Sequence, residues 1–538
     1  MFSRIDKKAA RRRNDVKERP AGPLSRLIEK KTPIILLALG VHLLVCLLLF
    51  DPKPHTGGDN ASYVILARSL LRPGDGYAQD FAPGAPVPET LYPFGYPLLL
   101  APTVAFFGAN FTLLKLESVL FSLGTVLISS LLAVRLARPL IWVALTFAVA
   151  LNPVLVEYSH WVLSEISFVF FSLLALYLLV RAEEKGQGER YGIWFLAGIV
   201  CLAFTIHIRS VGYSFVIAGL AYYGLKRNWK RLAVFALATG VLLAPWKLRN
   251  MQVNPGQKSY GQWLLLRNPY EPEQGTIGAG GIAGRIIHNF RFYSFAEMAR
   301  TVIHERTLAA MGGAARLTAG LVSLLVLIGL TVRLLAGVRF IDYYVLVYLG
   351  VVLIWPEVWS DVRFIMALVP LFLLYAGDGA AWCAGRAGAA DPGREKAAVA
   401  VVCLLALAGL ASQARLMPEN LNMLGNYFAG DRYAGYPDNW RQLFETADWA
   451  RDHTPEKATF TVRKPTLFFL FSGRHAECYP FTADTDSVLA MVFRNDYVVV
   501  DAVSGTTSRY LVPALVQQQN RFRLVFDRPY AKVLEVAH

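Results

Sequence analysis

The sequence is poor in charged residues and in cysteine. Only 17% of its 538 residues are charged, whereas 55% are hydrophobic. Soluble domains carry about a quarter charged residues, so this composition argues against a soluble multidomain protein. Disorder is excluded as well, because it requires low hydrophobicity. The five cysteines are scattered and four of them lie in apolar runs, so no disulfide framework or zinc-binding motif is predicted.

The chain also lacks the motifs of nucleic-acid binding, although it is basic. Its 54 Lys and Arg exceed its 39 Asp and Glu, which gives a net charge of +15. No zinc-ligand spacing, basic heptad or aromatic RNA-binding strand accompanies this excess. Eleven of the basic residues lie within residues 1–31, as expected where basic residues set the orientation of a membrane protein. We therefore predict no nucleic-acid partner.

Long apolar segments are abundant instead. The mean hydropathy is +0.39, and an apolar helix of about 20 residues is long enough to span the hydrocarbon core of a bilayer. Eleven candidate spans lie near residues 33–50, 115–134, 139–155, 161–180, 191–207, 210–225, 232–247, 312–332, 340–356, 364–382 and 397–414. The sequence thus predicts an α-helical polytopic membrane protein, with membrane lipids as its surroundings.

The distribution of Lys and Arg predicts the orientation of these spans. The basic N-terminal segment is expected in the cytoplasm, and every later connection on that side carries at least two Lys or Arg when the spans alternate. The apolar run 93–108 contains three prolines, and counting it as a span would place the basic connection 226–231 outside. We therefore interpret residues 93–108 as a helix in or on the outer membrane surface.

Three polar regions are then expected on the outer side. They are the loops 51–114 and 248–311 and the tail 416–538. The predicted organisation is a cytoplasmic segment 1–31, a membrane domain 32–415 and an extracytoplasmic tail domain. In a bacterial cell this orientation corresponds to the inner (plasma) membrane, with a periplasmic tail.

The tail has the pattern of a small soluble α/β domain. A helix-like stretch covers residues 439–451, and short β-branched or aromatic runs follow it. These runs, each interpreted as a strand, are 458–463, 467–471, 496–501 and 522–526. Helix and strand patterns that alternate in this way are typical of α/β domains.

Two acidic residues near the outer ends of membrane helices are candidates for catalysis. Asp59 follows two glycines and opens an apolar segment. It is either a helix N-cap, for which Asp is favoured, or a general base toward a hydroxyl. Glu165 lies just inside the outer end of the fourth span. It has a catalytic role or forms an ion pair that fixes helix packing, because an unpaired charge is costly at this depth.

Four cations lie at the predicted outer ends of the helices. They are Arg209, Lys247, Arg249 and Arg363. Any one of them alone is explained as an interfacial anchor. Four together, with few acidic residues nearby, favour an anionic ligand, and a phosphate at the outer leaflet is the natural candidate.

Short motifs in a defined order give the sequence a family resemblance. The motifs are Gly58-Asp59-Asn-Ala-Ser-Tyr63, Tyr92-Pro93-Phe94-Gly95-Tyr96-Pro97, Asn152-Pro153, Ser164-Glu165, Arg209-Ser-Val-Gly212, Pro245-Trp246-Lys-Leu-Arg249-Asn250 and Arg363 with Pro370. Over about residues 31–415, this pattern resembles the GT-C glycosyltransferases. The most similar branch contains bacterial aminoarabinose transferase and the protein O-mannosyltransferases.

The resemblance implies a GT-C fold that uses a polyprenyl-phosphate-linked sugar at the outer membrane face. The first-loop aspartate of the family falls on Asp59, and its acidic residue at the fourth span falls on Glu165. Basic residues that contact the phosphate fall on Arg209, Arg249 and Arg363.

Tyr63, Tyr96 and Lys247 complete the predicted substrate contacts. The lysine that some aminoarabinose transferases carry before a double proline is absent, since Leu91-Tyr92 precede Pro93. The resemblance therefore does not imply that this protein uses the sugar or the lipid acceptor of the aminoarabinose transferases. The Trp-Trp-Asp motif of oligosaccharyltransferases is also absent, which argues against N-glycosylation.

The predicted function is transfer of a sugar from a polyprenyl phosphate to a hydroxyl of a lipid, glycan or protein acceptor. Phosphate leaves without protonation, so cations replace a general acid while Asp59 deprotonates the acceptor. No cofactor is predicted; a divalent metal ion at Asp59 and Glu165 is left open. The alternatives are a transporter, for which paired halves or charges within the membrane are typical, and a non-catalytic scaffold with a binding domain in its tail.

Overall fold

The computed structural model describes residues 30–72, 74, 76–184, 189–253, 260–271 and 274–537. The predicted cytoplasmic segment 1–31 lies, except for its last two residues, outside this part of the chain. The membrane domain is helical, and its first large loop, residues 49–110, also contains a two-residue antiparallel pair, β1 (Ala78–Gln79) and β2 (Val87–Pro88).

Eighteen helices of the membrane domain follow one another in the described residues. They are α1 (Lys31–Leu48), α2 (Gly58–Leu71), α3 (Gly95–Phe107), α4 (Phe111–Leu136), α5 (Pro139–Ala150), α6 (Pro153–Ser159), α7 (Ser164–Glu184), α8 (Glu189–Ile208), α9 (Tyr213–Leu225), α10 (Trp229–Val253), α11 (Tyr260–Leu264), α12 (Ala279–Phe292), α13 (Met298–Arg300), α14 (Glu305–Met311), α15 (Gly313–Ala336), α16 (Phe340–Leu353), α17 (Val369–Arg386) and α18 (Asp391–Ala414).

Each of the eleven predicted spans coincides with an apolar helix. Among the described residues, 7 helices are long and apolar enough to cross a membrane, and 8 if the bent pair α5 and α6 is one span. The helices α8, α9 and α16 are apolar but shorter. The prediction of a polytopic helical membrane protein is therefore confirmed.

Asparagine and proline side chains shape the bend between α5 and α6. The first helix ends at Ala150, and Asn152 caps the second helix, because its Oδ1 accepts a hydrogen bond from the Leu155 N–H at 3.2 Å. Pro153 follows in the first turn of α6, where a missing N–H costs no helical hydrogen bond. The Asn152 Nδ2 donates to the Thr301 carbonyl at 2.7 Å. One residue therefore breaks the span and binds the second large loop, between α10 and α15.

We call the side of the membrane domain that carries these two large loops the loop side. Here the first loop folds back onto the helices, and α3 packs along α2 with the ring of Tyr96 edge-on to that of Tyr63 at 4.8 Å. A Cβ at Gly95 would lie 2.5 Å from the His207 carbonyl oxygen. Glycine thus lets the start of α3 contact the end of α8. The interpretation of residues 93–108 as a surface helix stays a prediction.

The tail forms a separate α/β unit with a mixed sheet. Its helices are α19 (Met417–Phe428), α20 (Asp438–His453), α21 (Pro465–Ser472), α22 (Thr485–Val492) and α23 (Val512–Gln517). Its strands are β3 (Thr459–Thr461), β4 (His475–Glu477), β5 (Tyr497–Asp501), β6 (Phe522–Arg528) and β7 (Ala531–Val536). The sheet order is β4-β3-β5-β7-β6, with parallel pairing among the first three strands and antiparallel pairing beyond.

The α/β class of the tail is confirmed, but one predicted strand is wrong. Residues 467–471 lie within helix α21, which begins at Pro465 and ends before Gly473. Gly473 has a positive φ of 68°, the left-handed conformation that commonly ends helices. Apolar residues on this helix pack toward the membrane domain, and Phe471 stacks on Phe111 at 6.1 Å.

The tail covers the loop side of the membrane domain. Beside the stacking of Phe471 on Phe111, the Ala476 N–H donates to the Phe81 carbonyl at 2.8 Å. The amide of Asn420 donates to the carbonyls of Leu48 and Phe50 at 3.1 and 3.0 Å. These contacts fix the tail domain against the first loop, which begins at the end of α1.

Candidate functional site

Five residues from four separate segments meet in one cavity on the loop side. The cavity has a volume of about 340 Å³ and is lined by Asp59, Tyr63, Glu165, Arg209 and Arg363 among others. They come from α2, the start of α7, the turn between α8 and α9, and the turn before α17. The structure therefore brings together both predicted carboxylates and two of the four predicted cations.

Asp59 lies in the first turn of α2 but does not cap it. The N-cap is Gly57, and no side chain caps this helix. The Asp59 Oδ1 instead accepts a hydrogen bond from the Tyr92 hydroxyl at 2.9 Å, and its Oδ2 lies 3.6 Å from Nη1 of Arg363. The side chain is 41% exposed, so it is accessible from the cavity. The cap alternative therefore does not describe this residue.

Glu165 is held in the wall of the cavity by two guanidinium groups. Its Oε1 lies 2.5 Å from Nη1 of Arg209 and 3.9 Å from Nη1 of Arg363. The side chain is only 3% exposed. Its Oε2 is buried and has no hydrogen-bond partner within the described part of the chain. One alternative for Glu165 was an ion pair that fixes helix packing, and the structure contains that ion pair. The pair involves Oε1, so Oε2 of Glu165 can still accept a hydrogen bond.

Hydrogen bonds between neighbouring helices fix Arg209. Its Nη1 donates to the Ser164 hydroxyl at 3.1 Å, and this hydroxyl also contacts the Tyr63 hydroxyl at 3.0 Å. The turn that carries Arg209 is tight, since a Cβ at Gly212 would lie 3.0 Å from the Ile206 Cα. Tyr63 thus acts as a support for Arg209, as well as lining the cavity.

Arg363 connects the two carboxylates. Its Nη1 faces Asp59 on one side and Glu165 on the other. Burial alone would lower the pKa of Arg363, but Glu165 and Asp59 outweigh burial and raise it above its usual value. The guanidinium stays charged at any physiological pH. With five N–H donors in a planar fork, it can also bind a phosphate oxygen while it holds both carboxylates.

A buried lysine orients the segment that leads to Asp59. Lys115 on α4 is 1% exposed, and its Nζ donates to the carbonyls of Asp51 and Lys53, the former at 2.7 Å. The loop continues to His55, whose Nδ1 accepts from the Gly57 N–H at 3.0 Å. These contacts place the start of α2, and with it Asp59, against the membrane domain.

Aromatic side chains that the sequence reasoning missed form another wall of the cavity. They are Trp263, Tyr270, Trp355 and Trp359. The ring of Trp359 lies 5.3 Å from that of Trp263, 6.0 Å from that of Tyr270 and 5.7 Å from that of Trp355. A signal existed in the sequence, because two tryptophans flank Pro356 shortly before Arg363.

Tyr92 was missed as well, although its position was recognised. It stands where some aminoarabinose transferases carry a lysine, and its hydroxyl donates to the Asp59 carboxylate. A neutral donor therefore occupies this position in place of a cation. The absence of the family's lysine is visible in the sequence, and it points to Tyr92 as the residue that stands in its place.

Three predicted contacts lie outside the cavity. Tyr96 is 1% exposed and packs behind Tyr63. Lys247 is exposed on α10. Arg249 donates to the carbonyls of Glu89, at 2.6 Å, and of Gly76 and Tyr77 in the first loop. The structure thus gives Arg249 a role different from the predicted phosphate contact: it holds the loop around β1 and β2.

No metal site is evident among the residues that the structure describes, since no group of three or more His, Cys, Asp and Glu is arranged to hold an ion. The carboxylates of Asp59 and Glu165 are connected by Arg363 instead.

Comparison with known proteins supports the fold. Residues 93–257, from α3 through α10, match the family model described as dolichyl-phosphate-mannose-protein mannosyltransferase. No curated protein matches the chain by sequence.

Solved structures match almost the whole chain. The oligosaccharyltransferase AglB from Archaeoglobus fulgidus, in complex with an inhibitory peptide and a dolichol-phosphate, has a TM-score of 0.58 at 15% identity, over 94% of this chain and 74% of AglB. ArnT from Cupriavidus metallidurans, bound to undecaprenyl phosphate, has a TM-score of 0.56 at 14% identity, over 94% of this chain and 98% of ArnT. The chain is therefore a multi-pass membrane protein with the GT-C fold, and the predicted resemblance is confirmed at the level of the fold.

Proposed function

We propose that this protein is a membrane glycosyltransferase that moves a sugar from a polyprenyl phosphate to a hydroxyl of a lipid, glycan or protein acceptor. The observation that carries the proposal is the convergence of Asp59, Glu165, Arg209 and Arg363 on one cavity at the end of the membrane domain. A scaffold has no need for such convergence, and a transporter would place its charges along a path through the membrane. The lipid phosphates bound by AglB and ArnT support the donor class.

Asp59 is the proposed general base. The acceptor oxygen attacks the anomeric carbon of the donor sugar, and the bond from that carbon to the phosphate oxygen breaks. The polyprenyl phosphate leaves with the electron pair, and the acceptor proton passes to the Asp59 carboxylate. The Tyr92 hydroxyl occupies Oδ1, so Oδ2 is the oxygen that receives the proton. A single displacement of this kind inverts the anomeric configuration.

Arg363 and Arg209 are proposed to stabilise the leaving phosphate. Negative charge grows on the phosphate as the glycosidic bond breaks, and fixed cations in a cavity stabilise such charge more strongly than water does. Arg363 is the first contact because its side chain is 32% exposed, whereas that of Arg209 is 17% exposed and already bound to Glu165. Arg209 then fixes Glu165, whose free oxygen can accept a sugar hydroxyl.

The aromatic wall is proposed to hold the donor sugar. The C–H face of a sugar ring packs on aromatic rings, and Trp359 lies at the centre of such a group. The wall faces the same cavity as Arg363 and Glu165. The sugar is thereby placed between an apolar surface and the free carboxylate oxygen, with its phosphate toward the arginines.

We also propose that the loop side faces outward, with the N-terminus in the cytoplasm of the plasma (inner) membrane and the tail in the periplasm. The support is the position of the basic connections. Arg135 and Arg138 lie at the junction of α4 and α5, and four Lys and Arg of residues 226–231 lie at the junction of α9 and α10, both at the ends of helices opposite the loop side. Basic connections are typical of the cytoplasmic face.

A reconstituted transfer assay tests the function. The purified protein in vesicles is supplied with a panel of polyprenyl phosphates that carry radiolabelled sugars, together with the envelope fraction of a strain that lacks the protein. We expect label to move to the envelope fraction from at least one lipid-linked sugar, and not from the corresponding nucleotide sugars. Transfer from nucleotide sugars alone would refute the proposed donor class, and absence of any transfer would refute the proposed function.

A further inference from the structure

A second cavity opens on the loop side, next to the tail domain. Its volume is about 380 Å³, larger than that of the Asp59 cavity, and the two share no lining residue among those described. Its walls come from the end of α1, from α6, from the start of α14 and from α19 of the tail. None of the residues assigned to the transfer reaction lies in it.

The Lys and Arg side chains that line this cavity are already paired, and the third lining carboxylate, that of Glu157, lies 3.9 Å from Nε2 of His304. The Lys53 ammonium lies 2.7 Å from the Asp51 carboxylate, and the Arg306 guanidinium lies 2.6 Å from that of Glu419. Each cation therefore has a carboxylate partner within the protein. A phosphate or another anion would have to displace a carboxylate in order to bind, so the charge pattern favours an uncharged ligand.

Two buried side chains of the lining have a polar atom without a hydrogen-bond partner among the described residues. Gln413 is 1% exposed and donates from Nε2 to the Leu151 carbonyl at 2.8 Å, but its Oε1 has no partner in the described residues. His160 is 4% exposed, and its Nε2 likewise has none. Buried polar atoms are normally hydrogen-bonded, so these two atoms point to a ligand that forms hydrogen bonds.

Amide groups on the tail helix add both donors and acceptors. Asn422 and Asn426 lie one turn apart on α19, and both are exposed where they line the cavity. Trp161 contributes an indole on the opposite wall, from the membrane domain. Amides, unpartnered polar atoms and an aromatic ring, with the lining Lys and Arg already paired, are suited to a ligand rich in hydroxyl groups and without charge.

The wall of this cavity rests on the segment that carries the proposed base. The ring of Trp161 stacks on that of His55 at 3.9 Å. The His55 carbonyl accepts from the Asn60 side chain at 2.6 Å, next to Asp59 in sequence. A ligand that contacts Trp161 is therefore separated from the turn that positions Asp59 only by the stacked rings of Trp161 and His55.

We propose that the second cavity binds an uncharged saccharide unit of the acceptor, away from the hydroxyl that reacts. This inference rests on the proposed function and narrows the acceptor to one that already carries a glycan. It also gives the tail domain a role, because α19 supplies one wall of the binding site.

The test compares an intact acceptor with a trimmed one. The envelope glycan fraction of a strain that lacks the protein serves as acceptor, either intact or after exoglycosidase digestion. We expect kcat/KM of the wild-type protein to be at least tenfold higher for the intact fraction. The double variant Asn422→Leu/Asn426→Leu should reduce this ratio toward one by raising KM for the intact fraction. Asn520→Leu, an exposed substitution elsewhere in the tail, is the matched control and should keep the wild-type ratio.

Two outcomes would overturn the inference. One is equal kcat/KM of the wild-type protein for both fractions, a result that needs no variant and holds even if the double variant fails to fold. The other is a double variant that keeps the wild-type ratio. Either result leaves the proposed function standing, whereas a wild-type protein that transfers sugar to neither fraction refutes the proposed function itself.

Discussion

At the scale of single residues, the two carboxylates of the site differ in their surroundings, and the difference separates their roles. Asp59 is 41% exposed and its Oδ1 accepts a hydrogen bond from Tyr92, so the proposed base is Oδ2, which lies 3.6 Å from Nη1 of Arg363. Glu165 is 3% exposed and lies between two guanidinium groups. A carboxylate held in this way is well oriented to accept a hydrogen bond, the role proposed for it toward a sugar hydroxyl.

Arg363 gives a first prediction. Replacement of Arg363 by Ala removes the exposed cation of the cavity, and we expect kcat/KM for the lipid-phosphate donor to fall by about 10²–10³-fold, a loss typical of a charge-stabilising donor. Arg363→Lys should restore only part of it, because Lys lacks the planar fork that contacts several oxygens. Arg72→Ala, in an exposed pair with Asp80, is the control. An unchanged donor dependence in Arg363→Ala would contradict the phosphate contact.

Glu297, in the second loop, gives a pH prediction. Burial raises its pKa to about 7 from an ordinary value of 4.5, although Arg300 at 3.0 Å opposes the shift. Below pH 4.5 the carboxyl is protonated in both folded and unfolded chains, and the folded state loses stability as the pH rises through 7. Glu297→Gln should therefore raise the apparent melting temperature at pH 8 and leave it nearly unchanged at pH 5. A difference that is equal at both pH values would contradict this prediction.

The site was partly predictable from the sequence for a physical reason. Asp59, Glu165, Arg209 and Arg363 are charged residues at the ends of apolar helices, where a charge is costly without a function or a partner. Trp359 and Tyr92 carry no such cost in a loop, so their signals, the tryptophans around Pro356 and the missing family lysine, are weaker than a charge at a helix end. Arg249 has the same local pattern as Arg209, and only the folded first loop shows that its donors bind carbonyls.

At the scale of elements, α15 and α17 are in backbone contact. A Cβ at Gly329 would overlap the carbonyl oxygen of Tyr375, and one at Gly379 would overlap that of Leu325. Small residues allow such contact between membrane helices and are common where these helices associate. Because α17 follows the turn that carries Arg363, this contact also fixes the position of the site.

Glycine substitutions test this packing. Gly329→Ala should separate α15 from α17 and greatly reduce the yield of folded protein in detergent, since the neighbouring atoms are backbone and cannot move aside. Gly240→Ala on α10 is the matched control, because a Cβ there meets no atom within 4 Å. Its yield should equal or exceed that of the wild type, as Ala favours helix. Equal yields for both variants would show that α15 and α17 are not in close contact.

Helix α21 shows where prediction of elements fails. The run Leu467-Phe-Phe-Leu-Phe471 has the composition of a buried strand, and a short apolar run does not distinguish a strand from a helix buried on two sides. Here the helix is apolar all round because one face packs on the sheet of the tail and another on the membrane domain. The membrane helices were predictable because long apolar runs, separated by polar or basic connections, identify them.

At the scale of the whole molecule, the position of the tail over the loop side predicts a topology that labelling can measure. In a background without the native cysteines, Asn520→Cys in the tail and Lys230→Cys in the first turn of α10 are both at exposed positions. A membrane-impermeant maleimide should modify Asn520→Cys when the outer face of the plasma membrane is accessible, and Lys230→Cys only after permeabilisation. The reverse pattern would contradict the proposed orientation.

The most direct measurement for the whole account is the transfer rate of Asp59→Asn in the reconstituted assay. This change keeps the size and the hydrogen bond from Tyr92 but removes the base, so we predict that kcat falls by about 10²–10⁴-fold. Insertion into the membrane and the melting temperature should stay the same. Asp80→Asn, in the same loop but paired with Arg72 outside the cavity, should keep wild-type transfer. An Asp59→Asn protein that transfers sugar at more than a tenth of the wild-type rate would contradict the assignment of Asp59 as the base.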